Sequence, residues 1–199
     1  MTKSIMIAGV GGQGTLLASK LLGSLLLSQG YDVKVSEVHG MAQRGGSVVT
    51  YVRYGEKVAS PIIDKGEADV LVAFELLEAA RWVPYLRPDG VLIANTQEIL
   101  PMPVITGAAS YPADLAENLR QVCRFPILVD ALTPAEAAGS AKAVNVVVMG
   151  ILSTVLGMPE EAWLAALEGQ LRPGLVEMNR KAFYAGRQAT GIASAPTGA

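Results

Sequence analysis

Residues 4–14 of the chain read SIMIAGVGGQG, and the leucine-rich stretch TLLASKLLGSLLLSQ follows over residues 15–29. The apolar run Ser4–Val10 ends in glycines, which predicts a buried β-strand. Leucines recur at helical spacing in the next stretch, so we expect a helix over Thr15–Gln29 that ends at Gly30. A strand, a glycine turn and a helix in this order begin a βαβ unit. This part of the sequence therefore indicates an α/β fold.

The rest of the chain continues the alternation. Further strands are predicted at Asp32–Glu37, Ser47–Tyr54, Asp69–Phe74, Gly90–Ala94 and Pro126–Asp130. Helices are predicted at Leu76–Leu86, Ala113–Arg124, Pro134–Ala138, Ala143–Leu156, Glu160–Glu168 and Leu175–Arg187. Irregular stretches are predicted at Val38–Gly46, at the turn Arg87–Gly90 and at the proline-rich Leu100–Thr106. The pattern predicts a doubly wound, mainly parallel, Rossmann-like sheet with a helical C-terminal segment. We expect residues 1–188 to form one domain and residues 189–199 to be a mobile tail.

The composition is unusually apolar for a chain of this length. Apolar residues make up 51% of the 199 residues and charged residues 17%, against a typical charged share of about 25%. A sheet that is covered by helices on both faces accounts for part of this excess, because its strands are apolar throughout. A large surface buried against another protein would account for the rest. We therefore expect an extensive subunit interface that includes the glycine loops and the helices after Thr133.

Several classes of protein are excluded by charge and by residue counts. The net charge is −2 and no basic run occurs, so nothing favours binding to nucleic acid or to an anionic membrane. The apolar stretches are shorter than the ~18 residues of a membrane span and the start lacks a secretory signal, so we expect a cytoplasmic protein. Cys123 is the only cysteine and cannot hold an iron–sulfur cluster, which needs about four thiolates. His39 is the only histidine, so no histidine cluster binds metal.

The glycine loop after the first strand fits the pattern G-x-G-x-x-G at Gly9, Gly11 and Gly14. Such glycines permit a tight turn, and the helix that follows presents free N–H groups to an anion. Glu37 lies 23 positions beyond Gly14, near the ~20 expected of an acidic residue that holds a ribose. One interpretation is therefore a site for NAD(P) or FAD. The other is that the glycines serve helix–sheet packing and a close subunit contact, while Gln13 and Thr15 cap the helix.

A second loop, EVHGMAQRGG over residues 37–46, follows the second strand. It brings Glu37, His39, Gln43 and Arg44 together with Gly45 and Gly46 at the carboxyl edge of the predicted sheet. The planar guanidinium of Arg44 suits two-pronged binding of a carboxylate or a diphosphate. His39 is either a hydrogen-bonded loop residue or part of a cleft at a subunit boundary. Polar groups in this position favour recognition of an anion or of a partner backbone.

With these two loops, the chain resembles the gamma-type domain of the 2-oxoacid:ferredoxin oxidoreductases, in particular the small (beta) subunits of the members that oxidise indolepyruvate. The resemblance rests on GVGGQGTLLASKLLG and VSEVHGMAQRGGSVVTYVRYG, and continues through ADVLVAFELLEAAR, VDALTPAEAAG, KAVNVVVMGILS and LVEMNRKAFYAGR. These segments extend in the same order to about residue 188, so the resemblance covers nearly the whole chain.

The resemblance implies a non-catalytic subunit. It implies a large partner subunit with thiamine diphosphate, Mg and iron–sulfur clusters, in a complex that decarboxylates a 2-oxoacid oxidatively, transfers the acyl group to coenzyme A and reduces ferredoxin. Neither a catalytic residue nor a metal ligand is expected in this chain. The residues expected to bind a cofactor or the partner are Gly9, Gly11, Gly12, Gln13, Gly14, Glu37, His39, Gln43, Arg44, Gly45 and Gly46. An NAD(P)- or FAD-dependent oxidoreductase and a binding domain with a vestigial loop remain the alternatives.

Overall fold

The computed structural model describes residues 2–39 and 45–189, apart from the side chain of His39. The strands are β1 (Lys3–Val10), β2 (Asp32–His39), β3 (Ser47–Gly55), β4 (Ala68–Ala73), β5 (Leu86–Asn95) and β6 (Phe125–Val129). The helices are α1 (Thr15–Ser28), α2 (Leu76–Trp82), α3 (Met102–Ile105), α4 (Leu115–Val122), α5 (Leu132–Ala138), α6 (Val144–Leu156), α7 (Glu160–Gln170) and α8 (Val176–Ala189). Single 3₁₀ turns lie at Val83–Tyr85, Ala141–Ala143 and Pro173–Leu175.

The six strands form one sheet in the order β2-β3-β1-β4-β5-β6. Strands β1, β4, β5 and β6 are parallel neighbours, whereas β3 is antiparallel to both β1 and β2. Five strands therefore point the same way, which confirms the α/β fold with a mainly parallel sheet. Only residues 40–46 connect β2 to β3, and a parallel pair would need a crossover of a dozen or more residues. The reversed β3 follows from this short connection.

Helices cover both faces of the sheet, because alternate residues of each central strand face opposite sides. Ile5 and Ile7 of β1 belong to the cluster that includes α1 and the helices α5 to α8. Met6 and Ala8 belong to the opposite cluster, to which α2 and α4 contribute. All seven residues Ser4–Val10 of β1 are buried, as the apolar run predicted.

Two irregular stretches were predicted wrongly. The loop predicted at Val38–Gly46 begins later, because β2 continues to His39 and pairs Val38 with Val49 of β3. The turn predicted at Arg87–Gly90 lies within β5. The register there shifts from Ala68 opposite Leu86 to Val70 opposite Val91, so the extra residues of β5 bulge out from the ladder. Arg87 is held in this bulge by an ion pair with Asp69.

Several helix boundaries also differ from the prediction. Helix α2 ends at Trp82 and a 3₁₀ turn follows, while α4 ends before Cys123. Cys123 is buried beside the end of α4, and burial raises the pKa of its thiol. The proline-rich stretch contains the single turn of α3.

None of the helices in residues 2–39 and 45–189 combines the length and the apolar character that a membrane crossing requires. Of the tail predicted at residues 189–199, only Ala189 belongs to the described residues, and the rest lies outside them.

Candidate functional site

The two glycine-rich loops are joined directly at the carboxyl edge of the sheet. The N–H of Gly11 donates to the carbonyl oxygen of Gly46 over 2.8 Å, and the N–H of Gly45 donates to that of Gly11 over 3.2 Å. These bonds continue the ladder between β1 and β3 beyond the ends of both strands. The structure thus brings together the described members of the two predicted loops. Ligands of open α/β sheets bind at this edge.

The side chain of Gln13 is used inside the protein. Its Oε1 accepts a hydrogen bond from the N–H of Val10 over 2.8 Å, and its Nε2 donates to the carbonyl oxygen of Phe74 over 2.9 Å. The carboxamide therefore joins the end of β1 to the end of β4. The prediction that Gln13 and Thr15 cap α1 is wrong, because the N-cap residue is Gly14 and no side chain caps this helix.

A second carboxamide meets the same carbonyl group. Asn95, fully buried at the end of β5, donates through Nδ2 to the oxygen of Phe74 over 3.1 Å. Its Oδ1 accepts from the N–H of Ala131, just after β6, over 3.0 Å. Two side chains therefore link the ends of four neighbouring parallel strands.

Two glycines of the loop make room for carboxamide groups of the protein itself. A Cβ on Gly9 would lie 3.1 Å from Oε1 of Gln13. A Cβ on Gly14 would lie 2.3 Å from Nδ2 of Asn145, which donates to the carbonyl oxygen of Gly14 over 3.3 Å. Gly14 also has φ +85°, a conformation that side chains rarely adopt. These glycines serve internal packing, as the second interpretation of the loop proposed.

The strand order differs from that of a dinucleotide-binding sheet. In a dinucleotide-binding sheet the second strand lies next to the first, so its terminal acid reaches the ribose. Here β3 lies between β1 and β2, and Glu37 pairs with Thr50 on β3. Two strand spacings, ~10 Å, separate the strand of Glu37 from β1. The exposed side chain of Glu37 nevertheless lines a cavity of about 410 Å³ together with Gly11, Gly12 and Gly14.

A cavity of about 450 Å³ opens beside the glycine loop. Its lining includes Gly12, Gly14, Gln97, Leu132 and Lys142. Gly14, the N-cap residue of α1, lines it, and within the described residues the N–H groups of Gly12 and Gly14 donate to no acceptor. The exposed Lys142 forms no ion pair with any residue that the structure describes. Free N–H groups and an ammonium group together favour an anion here.

A buried carboxylate organises the opposite side of the glycine loop. Glu75 is 1% exposed and caps α2 by accepting from the N–H of Glu78 over 2.8 Å. Its other oxygen accepts from the N–H of Ile99 over 3.0 Å and from the hydroxyl of Tyr111 over 2.7 Å. Burial, and then the bond to Glu75, raise the pKa of Tyr111. The sequence indicated a helix start at Glu75 but did not reveal its contact with Tyr111.

Glu78 links α2 to the start of β3. Its carboxylate accepts hydrogen bonds from the hydroxyl of Ser47, from Nε of Arg81 over 3.2 Å and from the indole N–H of Trp82 over 3.3 Å. Glu75 and Glu78 line a second cavity, of about 540 Å³, between the second loop and the stretch 99–112. Gly45 and Gly46, the described end of the second loop, therefore lie between the glycine loop and this cavity.

Exposed apolar side chains surround this edge. Leu16 at the start of α1 and Val38 near the end of β2 lie on one side of the glycine loop, each about half exposed. Leu100, Met102 and Ile105 lie on the other side and are at least half exposed. The helices after Thr133 were expected to contribute to the interface. Beyond that position, Leu175 is the one large apolar residue that the structure shows as exposed, because α6 is packed into the core.

Part of the predicted site lies outside the described residues. Gln43 and Arg44 belong to residues 40–44, and the side chain of His39 is likewise not described. Among the described residues, no group of three or more histidine, cysteine, aspartate or glutamate side chains is arranged to hold a metal ion. The single cysteine cannot supply the about four thiolates that an iron–sulfur cluster needs.

Comparison with known proteins assigns the family. The model of the pyruvate ferredoxin/flavodoxin oxidoreductase family matches residues 4–189. The chain belongs to this family. Membership agrees with the similarity of the two glycine loops and extends it over every described element.

Two relatives match this chain over nearly its full length. Indolepyruvate oxidoreductase subunit IorB of Thermococcus kodakarensis is 39% identical over 193 residues, which cover 94% of this chain and 95% of that protein. The protein of the same name from Archaeoglobus fulgidus is 40% identical over 190 residues, which cover 94% of each. The pyruvate oxidoreductase subunit PORC of Thermotoga maritima has the same fold, with a TM-score of 0.73, 24% identity and coverage of 94% of this chain and 96% of that one.

Proposed function

We propose that this chain is the small, non-catalytic subunit of an indolepyruvate (arylpyruvate):ferredoxin oxidoreductase. The complex would decarboxylate the 2-oxoacid oxidatively, join the acyl group to coenzyme A and reduce ferredoxin. The observation that carries the proposal is the match of the whole chain, at 39–40% identity, to proteins named as indolepyruvate oxidoreductase subunits. Neither the comparisons nor the strand order supports the alternative of an enzyme that uses NAD(P) or FAD.

The proposal assigns the cofactors to the large subunit. Thiamine diphosphate with Mg would supply the chemistry of decarboxylation, and iron–sulfur clusters would carry the electrons to ferredoxin. The support from this chain is its donor set: one cysteine, one histidine and, in residues 2–39 and 45–189, no cluster of metal ligands. We expect the isolated chain to be inactive and to bind neither NAD(H) nor FAD at micromolar concentrations.

We further propose that the carboxyl edge of the sheet contacts the large subunit or an anionic ligand of the complex. The residues assigned to this contact are those of the two loops: Gly9, Gly11, Gly12, Gln13, Gly14, Glu37, His39, Gln43, Arg44, Gly45 and Gly46. The geometry supports an indirect role for Gln13, whose carboxamide is bonded internally, and a direct one for the backbone of Gly12 and Gly14. The exposed apolar side chains on both sides of the loops support burial of this edge against protein.

Co-expression with the large subunit tests the proposed function. The chain and the large subunit should purify as one complex that reduces ferredoxin only when a 2-oxoacid and coenzyme A are both present. Each subunit alone is the control, and indolepyruvate, phenylpyruvate, pyruvate and 2-oxoglutarate are compared at equal concentration. A preference for the aryl substrates supports the assignment. Hydride transfer to or from a nicotinamide by this chain alone, or a preference for pyruvate or 2-oxoglutarate, contradicts it.

A further inference from the structure

The hydrogen bonds at the carbonyl group of Phe74 form a continuous chain through the protein. It passes from the N–H of Val10 to the carboxamide of Gln13, then to the oxygen of Phe74, then to the carboxamide of Asn95 and on to the N–H of Ala131. Asn95 and Phe74 are fully buried. We call these two carboxamides and the carbonyl group between them the carboxamide relay.

Only a carboxamide satisfies both of its neighbours at each position. Toward Val10 the side chain of Gln13 must present an acceptor, and toward Phe74 it must present a donor. A carboxylate has acceptors alone, so its second oxygen would face the oxygen of Phe74. The same holds for Asn95 between Phe74 and Ala131. These neighbours also determine which end of each amide carries the oxygen.

The relay connects two opposite walls of the cavity beside the glycine loop. Gln13 belongs to one wall, with Gly12 and Gly14, while Leu132 follows Ala131 directly and forms part of another. Both walls lie at helix starts, because Gly14 is the N-cap residue of α1 and Leu132 is the first residue of α5. The two carboxamides tie these helix starts to the end of β4 and thereby to each other.

We propose that Gln13 and Asn95 are positioning residues that hold the glycine loop and the turn after β6 at a fixed separation along the edge of the sheet. They act through the backbone they hold, because their carboxamides are bonded to it inside the protein. Their importance for assembly rests on the proposed function of this edge, whereas their effect on the loop does not. An internally satisfied network of this kind rigidifies the groups that it joins.

The variants Gln13→Glu and Asn95→Asp test the relay because they change one N–H₂ to oxygen at constant shape. A protonated carboxyl group restores the pattern, since its O–H donates to Phe74 and its carbonyl oxygen accepts from the N–H beyond it. Ionisation removes the donor and sets two oxygens against each other. Each variant should therefore acquire a pH dependence that the wild-type carboxamide lacks.

Nuclear magnetic resonance of the full chain, labelled with ¹⁵N, measures this without any assay of activity. In Gln13→Glu, the amide signals of Gly11, Gly12 and Gly14 should shift as the new carboxyl group ionises. The hydrogen-exchange protection factor of the Val10 amide should rise at the same pH, because its acceptor changes from a neutral oxygen to a charged one. In Asn95→Asp, the signal of the Ala131 amide should shift and its protection should rise for the same reason. The protection factor divides out the intrinsic pH dependence of exchange.

Matched controls carry the same chemical change on the surface. Gln188→Glu and Asn118→Asp alter exposed side chains whose amides make no hydrogen bond in the described part of the chain. They should leave the glycine signals and both protection factors unchanged at every pH. If Gln13→Glu also leaves them unchanged, the relay does not position the loop and the inference is overturned.

The complex provides the second readout. Affinity for the large subunit, measured by titrating activity, should be near that of the wild type at low pH in Gln13→Glu and should weaken as pH rises, relative to Gln188→Glu. Unchanged affinity in spite of a displaced loop would overturn the role in assembly. If the wild-type subunits form no active complex, the proposed function fails instead, and the relay is still decided by the signals of the chain alone.

Discussion

Helices α6 and α8 cross in close contact at two glycines, Gly150 and Gly186. A Cβ added to Gly186 of α8 would lie 1.9 Å from the carbonyl oxygen of Val147 and 2.8 Å from its carbon. A Cβ added to Gly150 of α6 would lie 2.1 Å from the carbonyl oxygen of Phe183. Both contacts are with helix backbone, which cannot rotate away as a side chain does. Gly186→Ala must therefore push the two helices apart.

The expected loss of stability is the difference of two terms. Overpacking a core costs ~1–3 kcal/mol and occasionally more, and a backbone contact of this closeness belongs at the upper end of that range. Alanine is favoured over glycine inside a helix by about 1 kcal/mol. Gly186→Ala should therefore lower the free energy of unfolding by roughly 2 kcal/mol, which is ~4–8 °C in Tm for a domain of this size.

Gly23→Ala is the matched control, because it makes the same change inside α1 without the close contact. Its Cβ would meet only a methyl carbon of Val35, at 4.0 Å. Helix propensity should then dominate and raise the free energy of unfolding by up to about 1 kcal/mol. Urea denaturation of the three proteins measures both changes. Equal stability of Gly186→Ala and Gly23→Ala would refute the argument from packing.

Three further predictions concern single side chains. Arg44→Ala should leave the fold intact but weaken assembly of the complex or raise its KM. The loss of binding free energy should be ~2–5 kcal/mol if the guanidinium forms a charged pair in a dry interface, and Arg44→Lys should rescue little. Normal turnover of Arg44→Ala would show that the loop is structural. Tyr111→Phe removes a hydrogen bond to the carboxylate of Glu75 and should lower the free energy of unfolding by ~1.5–3 kcal/mol. Residues 97–111 should also be cleaved faster by proteases. An unchanged urea denaturation curve would contradict this prediction. Burial raises the pKa of Tyr54 to about 12, so the folded state holds this proton more tightly than the unfolded chain does. Stability should therefore be lost as pH rises from about 10 toward 12, and Tyr54→Phe should lose less stability than the wild type over that range.

The sequence by itself determined the local structure and the family of this protein. Apolar runs and helical spacing predicted every strand and nearly every helix to within a few residues, because burial imposes these periods on the side chains. The count of one cysteine and one histidine placed the chemistry of metal clusters outside this chain. The order of the two glycine loops was enough to indicate the oxidoreductase family.

Only the tertiary structure decided what the predicted site residues do. Gln13 is bonded to Phe74, 61 positions away, and Asn145 fills the space at Gly14, 131 positions away. The predicted turn at Arg87–Gly90 became a bulge because β4 offers fewer residues there than β5. A local pattern carries no information about partners that are so distant in the chain, since sheet order brings them together.

The strand order itself was the decisive fact that the sequence did not reveal. The pattern of glycines and a following acid fits a dinucleotide site only if the second strand lies beside the first. Residues 40–46 are too short to return β3 as a parallel strand, so β3 reverses and pairs between β1 and β2. The strand of Glu37 is thereby placed one strand further from β1 than in a dinucleotide-binding sheet. The space beside Gly9 and Gly14 is filled in the folded protein by its own carboxamides, that of Gln13 from the loop itself and that of Asn145 from α6.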